Sequence, residues 1–308
     1  MTPVDVQAPP SSYSVDEAFA YCEAITSAHY ENFPVASLFL PEEKRPYVQA
    51  IYAFSRIADD FADERKLSQE ERLFNLNDWE EKLQQCYDGH ADHPVFMALR
   101  ETVKRLDIPI EPLKDLIAAF KKDVSQNRYE TFQDLLSYCA CSANPVGRLV
   151  LMIFGYRDEA LFKLSDNVCT ALQLANFWQD VAIDRRKDRL YIPLEDMQAH
   201  GYSLEDWSNE VVNQSFRNLL KFEVERTREL FYQGAELPSL VERDLQLELK
   251  LVWFGGMAIL KKIDKCKYDV YRQRPVIHGK TKFMILLRGL IFNDLTRYGK
   301  KRKQWDLT

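Results

Sequence analysis

Two pairs of aspartates at four-residue spacing constrain this chain more than anything else in it. Asp59/Asp63 lie in Ala58-Asp-Asp-Phe-Ala-Asp-Glu64, and Asp180/Asp184 follow about 120 residues later in Asn176-Phe-Trp-Gln-Asp-Val-Ala-Ile-Asp184. On a helix, residues four apart share a face and sit about 6 Å apart along the axis, so each pair can aim its carboxylates at one spot. The rest of the chain agrees with helix: among 308 residues there are only 10 Gly and 13 Pro, and alternating apolar and polar runs are nearly absent. An all-α protein is expected.

With 46% hydrophobic and 29% charged residues, the composition is that of a globular protein with ample material for a core. Residues 1–12, rich in Pro and Ser, read as a disordered lead-in, 13–298 as a single helical domain and 299–308 as a basic tail. No internal repeat, linker or low-complexity segment divides the chain.

The net charge of −6 conceals an asymmetry. Between Lys261 and Lys303 there are 14 Lys and Arg against 3 Asp and Glu, a local excess of +11 that leaves −17 on the remainder. This basic C-terminal region, with its apolar Phe283-Met-Ile-Leu-Leu, fits peripheral contact with an anionic membrane surface, an anionic ligand, or simply a solvated helix face, the commonest use of such a pattern. Arg288 and Asp294 interrupt the best candidate for a run of about 20 apolar residues, and no signal peptide opens the sequence. A cytoplasmic protein, at most peripheral to a membrane, is expected, with no nucleic-acid partner. Six Cys show no CxxC, and Cys139-Ala-Cys141 is a poor zinc pattern, so reduced thiols are the default.

Ser14 and Glu17 form a capping box for a helix to about Tyr30, which Phe33-Pro34 ends. Pro41-Glu-Glu-Lys44 opens the next, carrying Tyr52, Arg56, Asp59 and Asp63. Further helices are expected at 68–87, 94–105, 111–126 and 131–142. Asn144-Pro145-Val146-Gly147 should break the chain before an apolar helix at 148–154. A long helix at 159–186 carries Gln173, Asn176, Asp180 and Asp184 at intervals of three or four, followed by short helices at 194–208 and longer ones at 211–235, 239–271 and 279–298.

An acidic pair four apart is common on solvated helix faces. Here the flanks are apolar: Ile51-Tyr-Ala-Phe on one side and Ala171-Leu-Gln-Leu-Ala on the other. Carboxylates in such surroundings are expected to face an internal cavity, where a cation must compensate them. Mg²⁺ suits the pattern, because one or two carboxylates and substrate phosphates usually hold it. Asn176 adds a neutral oxygen one turn before Asp180. Arg56 on the first helix, and Arg185, Arg186, Lys187 and Arg189 after the second, could meet phosphate oxygens or merely pair with the acids. Tyr52, Phe54, Phe177 and Trp178 fall on the same helices, where rings could line a cavity for an isoprenoid chain and stabilise a carbocation, or serve as plain core. The five His are scattered, and His90 and His93 fall in an expected loop without metal partners. No Ser/His/Asp triad, P-loop or GxGxxG occurs. Gly255-Gly256 reads as close helix packing or cavity space.

Leu40-Pro-Glu-Glu-Lys-Arg-Pro-Tyr through Asp63, Gln173 through Asp184, and Arg189-Leu-Tyr-Ile-Pro193 together resemble the squalene/phytoene synthase family, over about Tyr13 to Arg297. The resemblance implies an all-α isoprenoid synthase fold with two aspartate-rich motifs facing across a central cavity. It implies Mg²⁺ on Asp59, Asp63, Asn176, Asp180 and Asp184, with Arg56, Arg189, Tyr52 and Tyr191 around the diphosphate. Phe33 then matches a cavity residue, and Tyr129 a tyrosine near the reacting centre. Departures mark a subgroup: Tyr30-Glu-Asn-Phe33 where many members have Ser-Lys-Ser-Phe, Ala143-Asn-Pro-Val-Gly147 where they have Ala-Gly-x-Val-Gly, and Gly256 where a Tyr is usual. His29-Tyr-Glu-Asn-Phe-Pro-Val-Ala-Ser37, Ser142-Ala-Asn-Pro-Val-Gly-Arg-Leu-Val-Leu151 and the Asn176-Phe-Trp-Gln-Asp-Val181 version of the second motif together look like the hydroxysqualene synthases of bacterial hopanoid synthesis, which work beside a presqualene diphosphate synthase and a flavin-dependent reductase. They imply an isoprenoid diphosphate substrate, presqualene diphosphate, with water ending the reaction. Tyr30, Glu31 and Asn144 become candidates to position that water. Head-to-head condensation of two farnesyl diphosphates is the alternative within the family, and a non-catalytic helical assembly protein is the rival outside it.

Overall fold

The computed structural model describes residues 13–28, 40–64, 66–292 and 294–298. The lead-in 1–12, the basic tail 299–308 and the segment from His29 through Phe33, with Tyr30, Glu31 and Asn32, lie outside them. Of the described residues 74% are helical and none lies in a strand, as the sequence pattern requires. It divides into two compact units, Met1–Ser125 with Leu149–Tyr156, and Gln126–Arg148 with Arg157–Thr308.

In the first unit, α1 (Val15–Ala28), α2 (Arg45–Asp63), α3 (Gln69–Tyr87), α4 (Pro94–Leu106) and α5 (Glu111–Ser125) surround α2, which packs against each of the others. Proline in the first turn of α2 lacks only an N–H that would have no helical partner there. The buried stripe of α2, Ala50, Ile51, Ala53, Phe54, Ala58 and Ala62, recurs at helical spacing, and its small residues admit close neighbours. Phe54 stacks on Trp79 with ring centroids 6.0 Å apart, and the Trp79 indole N–H donates to the Phe54 carbonyl at 3.3 Å. His93, at the end of the loop before α4, caps that helix: its Nδ1 accepts the Val95 N–H at 3.2 Å. Burial pulls its pKa down to about 4, which keeps it neutral among Trp79, Phe96 and Tyr21. Lys44 ties residues 149–156 to this unit, donating to the Ile153 carbonyl at 3.1 Å.

Helix α6 (Phe132–Ser142) is followed at once by α7 (Asn144–Ile153), which starts four residues earlier than expected. Asn144-Pro145 opens that helix, because proline is tolerated in a first turn. Residues 132–153 are apolar enough on average to cross a membrane, a stretch the sequence reading passed over, but 44% of the most apolar window is buried and Ala143 separates two helices within it.

The second unit is built around α8 (Glu159–Arg186), which coincides with the expected long helix and packs against α6, α11 (Gln214–Gln233) and α12 (Arg243–Lys265). Before α11 come α9 (Leu194–Ala199) and α10 (Leu204–Ser208), and after α12 comes α13 (Gly279–Ile291). Trp178 is fully buried, its indole donating to Thr227 at 2.8 Å; Trp253 donates to the Phe231 carbonyl at 2.6 Å. Gly256 marks close packing: a Cβ there would stand 2.2 Å from the Phe231 ring. Helix α12 is shorter than expected. A 3₁₀ turn at Leu237–Ser239 precedes it, and left-handed Lys267 and Tyr268 follow its last turn. Helix α13 stops at Ile291 because Phe292 turns extended. All six cysteines are free thiols.

Candidate functional site

The first acidic turn lies at the C-terminal end of α2, where Asp59, Asp60 and Asp63 are followed by Glu64 with no basic residue in the last turn. Acids there oppose the helix dipole, so the turn concentrates negative charge at the end of the helix that favours it least. Arg56, one turn earlier, donates to Asp59 at 3.2 Å and also pairs with Asp60. Partial burial works against its charge, but Asp60 and Asp59 together hold the guanidinium above its ordinary pKa. Tyr52 stands a further turn back, and burial raises its hydroxyl pKa despite nearby Arg56. The turn is more open than its apolar flanks suggest: the Asp59 side chain is 42% exposed. The apolar residues form the opposite face of α2, while the acids sit at its edge.

The second acidic turn is on α8, where Asn176 is exposed and Asp180 and Asp184 lie partly buried at successive turns. Asp180 is only 13% exposed and is gripped by a forked ion pair from Arg274, Nε to Oδ1 at 2.5 Å and Nη2 to Oδ2 at 3.0 Å. The fork and neighbouring Asp184 raise the Arg274 pKa, against partial burial. Gln179 anchors the same loop, donating to the Pro275 carbonyl at 2.6 Å. Arg185 points elsewhere: it bonds Glu210 at 2.8 Å and the Ser208 carbonyl at 3.0 Å, so it pairs with an acid outside the motif. Arg186 is exposed and Lys187 caps the helix end.

An aromatic wall stands beside this turn. Phe177 and Tyr191 stack at 3.7 Å and 7°, Tyr129 lies 5.8 Å from Tyr191, and Tyr138 touches all three. Backbone pairing puts them together. Leu190 N–H donates to the Asn127 carbonyl at 2.9 Å and Leu194 N–H to the Tyr129 carbonyl at 3.0 Å. Arg128 adds a 2.6 Å ion pair to Asp188, whose left-handed backbone turns the loop, and lies 4.6 Å over the Trp207 ring. The outcome is a small pocket, about large enough for one water molecule, whose lining includes Phe177, Asp184, Arg189, Tyr191 and Trp207. Asn144 accepts a 2.9 Å hydrogen bond from Thr170, on α8.

Among the described residues no group of three or more His, Cys, Asp or Glu forms a ready metal cage. The donors nonetheless fit Mg²⁺, which takes one or two carboxylates and completes its shell with water and phosphate oxygens. The acids clustered at the end of α2, set against the helix dipole, are a place where a divalent cation would relieve repulsion. Arg274 and Asp60 were missed in the sequence. Arg274 had a signal in its Arg272-Gln-Arg-Pro275 context, but nothing local tied it to Asp180. Phe33 and Glu31 lie outside the described residues.

The family model described as squalene/phytoene synthase matches residues 26–281. The hydroxysqualene synthase of Zymomonas mobilis is 34% identical over 269 residues, 85% of this chain and 86% of its own length. The phytoene synthase of Arthrospira platensis is 30% identical over 283 residues, 88% of this chain and 91% of its own. Among solved structures, squalene synthase HpnC from Alicyclobacillus acidocaldarius superposes with a TM-score of 0.79 at 40% identity, covering 82% of this chain and 95% of that one. The chain therefore belongs to the squalene/phytoene synthase family, enzymes of isoprenoid biosynthesis that bind isoprenoid diphosphates with a divalent metal and share this all-α fold.

Proposed function

We propose that this protein converts presqualene diphosphate and water to hydroxysqualene and diphosphate. The observation that carries the reading is that Asp184, suited to a metal, and Arg189, suited to a leaving anion, line the same small pocket as the stacked Phe177 and Tyr191 rings, which suit a cation. Asp59 and Asp63 on one turn, and Asn176, Asp180 and Asp184 on the other, would hold Mg²⁺, which when bound supplies stabilisation of the charge growing on the diphosphate. Arg56, Arg189 and Arg274 offer donors to the remaining phosphate oxygens, with Tyr52 beside Arg56. As the C–O bond breaks, its electron pair leaves with the diphosphate. The cyclopropylcarbinyl cation opens and rearranges against Phe177, Tyr191 and Tyr129, and the buried Phe177 and Tyr129 rings also exclude stray water. A water oxygen then forms the new C–O bond and releases a proton. Asn144, held by Thr170, and Glu31 are the candidates to place that water, and Phe33 to line the chain's path.

Three features favour hydroxysqualene as product: the Zymomonas mobilis relative, the Asn144-Pro145 start of α7 and the small Gly256. A second reading, head-to-head condensation of two isoprenoid diphosphates, is favoured by the Arthrospira platensis relative. Purified protein with Mg²⁺ should be given presqualene diphosphate or farnesyl diphosphate separately, each with and without NADPH. Hydroxysqualene from presqualene diphosphate alone is expected. Consumption of farnesyl diphosphate by this protein alone would replace the first reading with the second. The proposed product would pass to a flavin-dependent reductase, and the substrate would come from a presqualene diphosphate synthase.

A further inference from the structure

Helix α13 presents an apolar face that nothing in the described structure covers. Phe283 is 65% exposed, Leu290 60% and Ile291 64%, and Met284 and Leu287 are nearly half exposed. Positions 283, 287, 290 and 291 recur at helical spacing, so they form one stripe along the helix. The opposite side, Ile285 and Gly289, is buried. A Cβ on Gly289 would stand 2.8 Å from the Leu251 side chain and 3.2 Å from Leu247, so this glycine lets α13 sit tightly on α12. The stripe therefore faces outward by construction, since the packed side of the helix is already committed.

The charges around it choose the occupant. Lys280, Lys282 and Arg288 are the charged residues of Gly279–Ile291, and the helix has no acid. Lys282 and Arg288 fall on the two flanks of the stripe, where long basic side chains can lay their stems on apolar surface and hold their charges outward. The sequence beyond adds Lys300, Lys301, Arg302, Lys303 and Trp305. An apolar stripe bordered by cations, with a polybasic segment following, is the pattern of a helix lying in the plane of an anionic bilayer surface. A second copy of the chain would bring the same cations into opposition across the interface, which like charge disfavours.

We propose that α13 is a membrane-docking helix, inserting Phe283, Leu287, Leu290 and Ile291 among acyl chains while Lys280, Lys282 and Arg288 meet anionic headgroups. The test is co-sedimentation of the full chain with vesicles of phosphatidylcholine alone or with one quarter phosphatidylglycerol, beside Phe283→Ser/Leu290→Ser/Ile291→Ser and Lys280→Glu/Lys282→Glu variants. These positions are exposed, so helix content and melting should stay those of the parent. Binding to the anionic vesicles is expected, weakened at least tenfold by the triple serine variant and severalfold by the charge variant or by raised salt. No binding to either vesicle, or undiminished binding of the serine variant, overturns the proposal. A parent that is dimeric by light scattering and a serine variant that is monomeric also overturns it, assigning the stripe to a second copy. No substrate enters the assay, so its failure and failure of the proposed reaction are distinguishable.

Discussion

The two acidic turns look alike in sequence and differ in how the protein holds them. At the end of α2, Arg56 reaches Asp59 and Asp60 from the same helix, three and four residues away, in a half-open setting. On α8, Asp180 is paired with an arginine 94 residues further along, largely buried and backed by Gln179 on the Pro275 carbonyl. The first turn is organised locally and should survive disturbance elsewhere. The second depends on a loop closing onto α8, so its geometry is coupled to the stability of its own unit.

The largest effect should come from the carboxylates themselves. Asp180→Asn and Asp63→Asn should each lower turnover about 10²- to 10³-fold, the loss typical when a group that stabilises developing charge is removed, with helix content by circular dichroism unchanged. Near-parent rates in both variants would remove the metal assignment and with it the functional parallel between the turns.

A stability measurement isolates the second unit. Glu248 on α12 is buried, its Oε2 has no hydrogen-bond partner, and burial raises its pKa from 4.5 to about 7. A raised folded-state value means the contribution is intact below pH 4.5 and is lost as pH climbs through 7, by at most about 3 kcal/mol. Glu248→Gln should thus match the parent in urea melts at pH 4 and exceed it at pH 8. If the first unit shifts equally, the two do not unfold independently.

The arginines sharpen the contrast further. Arg274→Gln should destabilise by about 1–2 kcal/mol, since it breaks a forked, partly buried pair, whereas Arg56→Gln should cost below about 1 kcal/mol. Equal shifts in denaturant midpoint would show that burial of Asp180 adds nothing. The smallest effect is expected at the loop anchor: Gln179→Ala removes one hydrogen bond, about 1 kcal/mol or less, and should lower turnover severalfold by loosening Arg274. No change in turnover would mean the fork orients itself.

Much of this was legible before any coordinates. The long helix bearing Asn176, Asp180 and Asp184 shows at its full expected extent, because a 28-residue segment carries its periodicity and its Asp158 cap in its own sequence. Helix α7 starts four residues before the position that an Asn144-Pro145 break suggests, because proline both ends and begins helices. The end of α12 was missed because two non-glycine residues take left-handed backbone there without a sequence signal. Whether Arg185 meets phosphate or pairs with an acid is open in the sequence; its ion pair with Glu210 falls on the second side, though with an acid outside the motif.

Sequence by itself determined that the chain is helical, which residues share a helix face, and that two acidic turns are flanked by apolar residues. A repeat of 3.6 residues per turn is a local rule, satisfied within each segment. Only the tertiary structure decided that Arg274 closes on Asp180, that Tyr129 is laid against Tyr191 and Phe177, and that the stripe on α13 faces outward while Gly289 packs inward. Those pairings join residues many turns apart. They form only where packing and backbone hydrogen bonds repay the entropy of closing the chain between them.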